Sequence, residues 1–128
     1  MAGEPILVID DHPTNLKLTR VILAAEEYDV RTAGSAEEAL TMLETFTPRL
    51  IVVDLQLPEL DGLELTRRLK ADPARRGIVV LALSAYAMNG DEQKAFEAGC
   101  DGYATKPIEP DHLAAIVSRY LDRKISRS

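Results

Sequence analysis

Three stretches of the chain are apolar without interruption: ILVI at 6–9, LIVV at 50–53 and IVVLAL at 78–83. Runs rich in Val and Ile that do not alternate with polar residues predict strands buried on both faces, as in a parallel sheet covered by helices. Two weaker runs, YDVRTA at 28–33 and GYAT at 102–105, predict a second and a fifth strand. Helical spacing fills the intervals. Pro13 is placed to open the first helix, with Leu16, Leu18, Ile22 and Leu23 as its apolar positions. Ser35, followed three residues later by Glu38, forms a capping box that starts the second, which makes Ser35 a cap. The third runs from about Leu63 to Ala71 and stops at Asp72-Pro73; Asp61 is assigned to its cap. The fourth runs from about Asp91 to Ala98, with Gly99 where helices end in the left-handed conformation. The last begins near Pro110 and continues to Leu121, leaving residues 123–128 as a tail. Five strand–helix units in strict alternation predict an α/β fold: a five-stranded parallel sheet, doubly wound, with right-handed crossovers.

In such a sheet ligands bind beyond the carboxyl ends of the strands, so the residues following each apolar run matter most. Asp10 and Asp11 follow the first, Asp54 the third, Ser84 the fourth, and Thr105, Lys106 and Pro107 the fifth. Singly, each has a plain structural reading. An Asp before a helix is usually a cap, an Asp entering a Pro-containing loop a turn residue, and a lysine a surface group. Together they make a different object. Three carboxylates gathered at one sheet edge repel unless a cation neutralises them. Oxygen-only donors select a hard ion such as Mg²⁺, which engages one or two carboxylates and a phosphate. A carboxylate facing a metal, a hydroxyl donor and an ammonium is equipped to accept a phosphoryl group: Lys106 balances charge on the equatorial oxygens and Ser84 donates to one of them. An aspartyl phosphate is the natural covalent product.

Composition narrows the field further. The chain has 128 residues, enough for one domain with a two-sided core, and is 46% hydrophobic and 28% charged. A net charge of −6 and a pI near 4.9 speak against direct nucleic-acid binding. Arg67-Arg68, Arg75-Arg76 and Arg123-Lys124 read as solvated helix faces or ends. No apolar run has the length of a membrane span, and the MAGEPILVID start lacks the regions of a secretory signal. The single cysteine, Cys100, excludes an internal disulfide, fits a reducing cytoplasm and reads as a small buried hydrophobe. His12 and His112 have no metal-ligand spacing and read as solvent or cap residues.

These segments resemble the receiver domain of bacterial two-component response regulators over roughly residues 5–122. ILVIDDHPTN is similar to the opening strand and acidic pair of that family, LIVVDLQLPELDGLEL to its phosphoacceptor strand and loop, LALSAYA to its strand-four hydroxyl segment, and YATKPI to its lysine–proline segment. Four blocks in the right order make a specific signal.

The resemblance implies a flavodoxin-like strand order 2-1-3-4-5 and a single receiver domain over 1–128 (core 5–122) with no output domain. It makes Asp54 the phosphoacceptor and gives Asp10 and Asp11 the Mg²⁺, with Asp11 the more direct ligand and the Gln56 backbone carbonyl completing the set. Lys106 contacts the phosphoryl group, Ser84 hydrogen-bonds it, and Lys106–Pro107 is a cis peptide. Tyr103 stands at the switch-aromatic position, while Gln56 and Tyr86 tune the phosphate lifetime; a bulky Tyr86 predicts slow self-dephosphorylation.

The expected partners are a histidine kinase or a histidine phosphotransfer protein and a downstream protein target, engaged through helix four, strand five and helix five. Neither nucleic acid nor membrane insertion is expected, and the protein is expected not to be an enzyme acting on others. The stretch SAYAMNGDEQKAFEAGCDGYATKPI is most similar to single-domain regulators of the cell-division phosphorelay type and to receivers of hybrid kinases. A receiver cut from a hybrid kinase is therefore the main alternative, and a pseudo-receiver is disfavoured by the complete acidic set. A haloacid-dehalogenase-type phosphatase would want its nucleophile after strand one in an Asp-x-Asp pattern, where this chain has Asp10-Asp11-His12.

Overall fold

The computed structural model describes residues 3–55, 57, 62–84, 91–105 and 109–126. Strands and helices alternate as expected: β1 (Pro5–Ile9), α1 (Pro13–Ala24), β2 (Asp29–Ala33), α2 (Ala36–Met42), β3 (Leu50–Asp54), α3 (Gly62–Ala71), β4 (Val79–Ser84), α4 (Asp91–Ala98), β5 (Gly102–Thr105) and α5 (Pro110–Ser126). The five strands form one sheet in the order β2-β1-β3-β4-β5, and every neighbouring pair is parallel.

Burial explains the difference between strong and weak runs. All residues of β3 and β4 are buried, whereas β2 at the edge alternates between exposed and half-buried before ending at the buried Ala33. Alternate residues of each strand feed two separate cores. On one face Leu7, Ile9, Ile51, Val53, Val80 and Ala82 pack with Ala39 of α2, Leu65 and Leu69 of α3, and Ala95 of α4. On the other, Ile6, Val8, Leu50, Val52, Leu81 and Leu83 pack with Ile22 and Leu23 of α1 and with Leu113, Val117 and Leu121 of α5.

Local signals fix the helix ends. Ser35 Oγ accepts the Glu38 backbone N–H at 3.0 Å, and Glu38 Oε1 accepts the Gly34 N–H at 2.8 Å, so the capping box forms. Gly99 has φ +112°, the left-handed conformation expected after α4, and an added Cβ would lie 2.7 Å from Lys70 Cγ. Two expectations need correction. Leu18 was placed on the apolar face of α1, but it is 52% exposed, as is Val21, and the helix buries Thr19, Ile22 and Leu23 instead. The tail expected from residue 123 is helical to Ser126, because nothing between Leu121 and Ser126 breaks the α5 hydrogen-bond ladder.

The amino edge of the sheet is cross-braced. Lys70 Nζ donates to the Ile78 carbonyl at 2.8 Å, the Arg76 carbonyl at 3.2 Å and Asp101 Oδ2 at 2.9 Å. Asp101 Oδ2 also accepts the Val80 N–H at 2.8 Å, while the Asp101 N–H donates to the Val80 carbonyl at 2.8 Å. One carboxylate thus ties the end of α3, the start of β4 and the foot of β5 together.

Candidate functional site

At the opposite, carboxyl edge, Asp54 and Ser84 are the last residues of β3 and β4 rather than the first of the loops that follow. Both are buried, Asp54 at 2% and Ser84 at 0% exposure, and each engages in polar interactions there. The rigid strand positions Asp54: its neighbour Leu55 continues the ladder by donating its N–H to the Leu83 carbonyl at 2.9 Å.

Register explains why the acids meet. β1 and β3 pair in parallel with Ile9 opposite Val53, so Asp10 and Asp54 occupy the next rung on adjacent strands. Asp54 follows Leu50 and Val52 on the face covered by α1 and α5, and Asp10 follows Ile6 and Val8 on the same face. Asp10 is 4% exposed, and its Oδ1 accepts the His12 backbone N–H at 2.9 Å. This bond reaches only two residues on, as in an Asx turn; the N-cap of α1 is His12, which makes no side-chain cap hydrogen bond, so Asp10 is not the helix cap that an Asp before a helix suggests.

Asp11 sits at the rim with its side chain 30% exposed, and its Oδ1 is a buried oxygen without a hydrogen-bond partner among the described residues. His12 occupies the N-cap position of α1 and is 66% exposed, as a solvent or cap residue should be. Its ring nevertheless leans back over both acids, with Nδ1 3.3 Å from Asp10 Oδ1 and 3.1 Å from Asp11 Oδ1. Sequence spacing missed this contact, and its signal was only adjacency to the acidic pair. One donor atom from each of Asp10, Asp11, His12 and Asp54 lies within 4.8 Å of all the others. Three carboxylates at that spacing, one with a buried oxygen that has no hydrogen-bond partner among the described residues, fit a divalent cation, whose charge would relieve their mutual repulsion.

Ser84 lies on the other face of the sheet, following Val80 and Ala82. Ala82 pairs with Tyr103 and Ser84 with Thr105, so Ser84 and Tyr103 are diagonal neighbours on adjacent strands. Tyr103 packs against the core on the α4 side, and its hydroxyl oxygen is buried with no hydrogen-bond partner among the described residues. A buried phenol in that condition has an acceptor to gain if the nearby backbone moves. Gln56, Tyr86, Lys106 and Pro107, expected as metal, tuning, phosphoryl and cis-proline residues, lie outside the described residues, as does Asp61.

Comparison with known proteins agrees with this geometry. The family model described as the response regulator receiver domain matches residues 6–118. The polar-differentiation response regulator DivK of Brucella abortus is 38% identical over 116 residues, covering 91% of this chain and 94% of the relative. A receiver domain protein (CheY-like) from Methanospirillum hungatei superposes with a TM-score of 0.91 at 29% identity, covering 99% of this chain and 100% of the other. The signal receiver domain of a signal transduction histidine kinase from Syntrophus aciditrophicus superposes with a TM-score of 0.87 at 33% identity, covering 94% and 91%. With the strand order, the acidic edge and these similarities in agreement, the chain belongs to the response regulator receiver domain family of two-component signalling.

Proposed function

We propose that this receiver is a phosphorylation switch in which Asp54 accepts a phosphoryl group from a phosphohistidine of a histidine kinase or a histidine phosphotransfer protein. The observation that carries this reading is the meeting of buried Asp54, at the end of β3, with buried Asp10, the residue after β1, beside the Asp11 carboxylate. A carboxylate oxygen of Asp54 forms a bond to phosphorus as the phosphorus–nitrogen bond of the donor breaks, and the imidazole leaves with its electron pair. Asp10, Asp11 and the backbone carbonyl of Gln56 are the protein's share of a Mg²⁺ site; when bound, the ion supplies positive charge to the phosphoryl oxygens. Lys106 carries the second compensating charge. Ser84 donates its hydroxyl to a phosphoryl oxygen, drawing the end of β4 toward Asp54.

That movement offers Tyr103, one diagonal away, a new environment for its orphaned hydroxyl. The face made by α4, β5 and α5 then favours a different partner, a population shift set by differential contacts to the phosphate. In this reading the whole chain, 1–128, is one receiver that acts through a downstream protein in the cytoplasm. It is an acceptor, not an enzyme on a separate substrate, and resets by hydrolysis of its own acyl phosphate. The 38% identity to a polar-differentiation response regulator supports a stand-alone regulator. A second reading, the receiver of a hybrid kinase, is favoured by the likeness to the kinase receiver of Syntrophus aciditrophicus.

Incubation with acetyl phosphate and Mg²⁺ tests the site. Acid-stable, base-labile label is expected on the native chain and is expected to disappear in Asp54→Asn or when the metal is chelated. Label persisting on Asp54→Asn would overturn the assignment.

A further inference from the structure

His12 is not accounted for by phosphoryl transfer, yet its ring is drawn onto the acids that would hold the metal. We propose that His12 Nδ1 is itself a donor to that metal, so that the site prefers a borderline transition ion such as Co²⁺, Mn²⁺ or Zn²⁺ to Mg²⁺. The inference rests on the metal-site reading above and adds to it a ligand and an ion preference.

Three observations carry it. First, Nδ1 stands 3.3 Å from Asp10 Oδ1 and 3.1 Å from Asp11 Oδ1. Two donors at about 2.1 Å from one ion are about 3.0 Å apart across an octahedral edge and about 3.4 Å apart across a tetrahedral one. Both observed separations fall in that interval. Second, Nδ1 is shared between two carboxylates: it lies at hydrogen-bond distance from Asp10 Oδ1 and at ion-pair distance from Asp11 Oδ1, which has no hydrogen-bond partner among the described residues. A ring nitrogen set between two carboxylate oxygens is stable there when a positive charge sits among them. Third, the donor set is mixed. Three carboxylates alone suit a hard ion, whereas an imidazole adds affinity along the transition series and little for Mg²⁺. The ring is largely exposed, so it closes the site from the solvent side while Asp10 and Asp54 form its buried floor.

The chain has two histidines, and the other, His112, is an exposed residue of α5, which allows a clean control. Mn²⁺-loaded native protein should show ¹⁴N coupling from a directly bound imidazole in pulsed EPR. The coupling should persist in His112→Ala and vanish in His12→Ala. By calorimetry at constant pH, His12→Ala should weaken Co²⁺ binding by about tenfold or more and change Mg²⁺ binding by less than about twofold. Absence of the nitrogen coupling in the native protein, or unchanged Co²⁺ affinity in His12→Ala, overturns the proposal and leaves the acidic site standing. Asp11→Asn that binds Mg²⁺ and Co²⁺ as tightly as the native chain would overturn the metal-site reading itself.

Discussion

Cys100 shows how burial governs the chemistry of a single side chain. It is 5% exposed, with its sulfur 3.7 Å from the Thr66 hydroxyl, and desolvation pushes its thiol above the ordinary range. The thiolate is the reactive species, so Cys100 in the folded protein should react slowly with iodoacetamide at neutral pH and rapidly once urea unfolds it. The same shift has a stability consequence. Below the ordinary thiol range, near about pH 8.5, folded and unfolded chains both hold the proton, and the contribution is fully present. As pH rises through that range toward the higher folded value, the unfolded chain releases its proton first and stability falls. The stability advantage of the native chain over Cys100→Ala should therefore shrink above about pH 8.5, as urea titrations at several pH values can measure. The likeness to receiver domains assigns Tyr86 a lifetime-tuning role, in which a bulky ring would screen the acyl phosphate from attacking water. Tyr86→Ala should shorten the phospho-form half-life, and equal half-lives in a decay assay would remove the shielding role.

Among the elements, α3 meets the strand that carries Asp54 through Gly62. A Cβ at Gly62 would stand 2.8 Å from the carbonyl oxygen of Asp54 and 3.1 Å from Leu55 Cα, both backbone atoms that cannot swing aside. The first turn of α3 thus lies flat against the end of β3, and the Thr66 hydroxyl donates to the Gly62 carbonyl at 2.8 Å within it. Gly62→Ala should cost about 1–3 kcal/mol in chemical denaturation and also slow phosphorylation, because relief of the clash moves Asp54. A loss of stability with an unchanged labelling rate would show that the strand end does not yield. This contact was invisible in the sequence, because close approach between backbone segments leaves no mark on periodicity. The elements themselves were legible. Uninterrupted apolar runs identified β1, β3 and β4, and the Ser35–Glu38 box fixed the start of α2. Periodicity failed for Leu18 because the apolar stripe of α1 is wider than the face it buries, and hydrophobic residues are common on surfaces.

For the whole molecule, the strand order places Asp10 and Asp54 side by side, and that order came from resemblance rather than from any single segment. Alternation implied a parallel sheet; it did not say that β1 and β3 are neighbours, on which the pairing of the acids depends. The ring of His12 was beyond reach for the same reason, since its place follows from the turn into α1. At the far edge, Asp101→Ala would leave the Val80 N–H and the Lys70 ammonium without their carboxylate. A loss of about 1–3 kcal/mol in urea unfolding is expected, with phosphorylation chemistry at the opposite edge retained. A loss of labelling in folded Asp101→Ala would contradict that separation.

The Lys70–Asp101 brace makes β5 a lever with a fixed fulcrum. Its foot is tied to β4 and α3, while Tyr103 and Thr105 lie further out along it. If phosphorylation pulls on Ser84 as proposed, the pull would reach Tyr103 as a pivot about Asp101, not as a slide of the entire strand. Displacement would then grow with distance from the brace and be largest toward Thr105, concentrating the signal at the end of the sheet where the phosphate would sit.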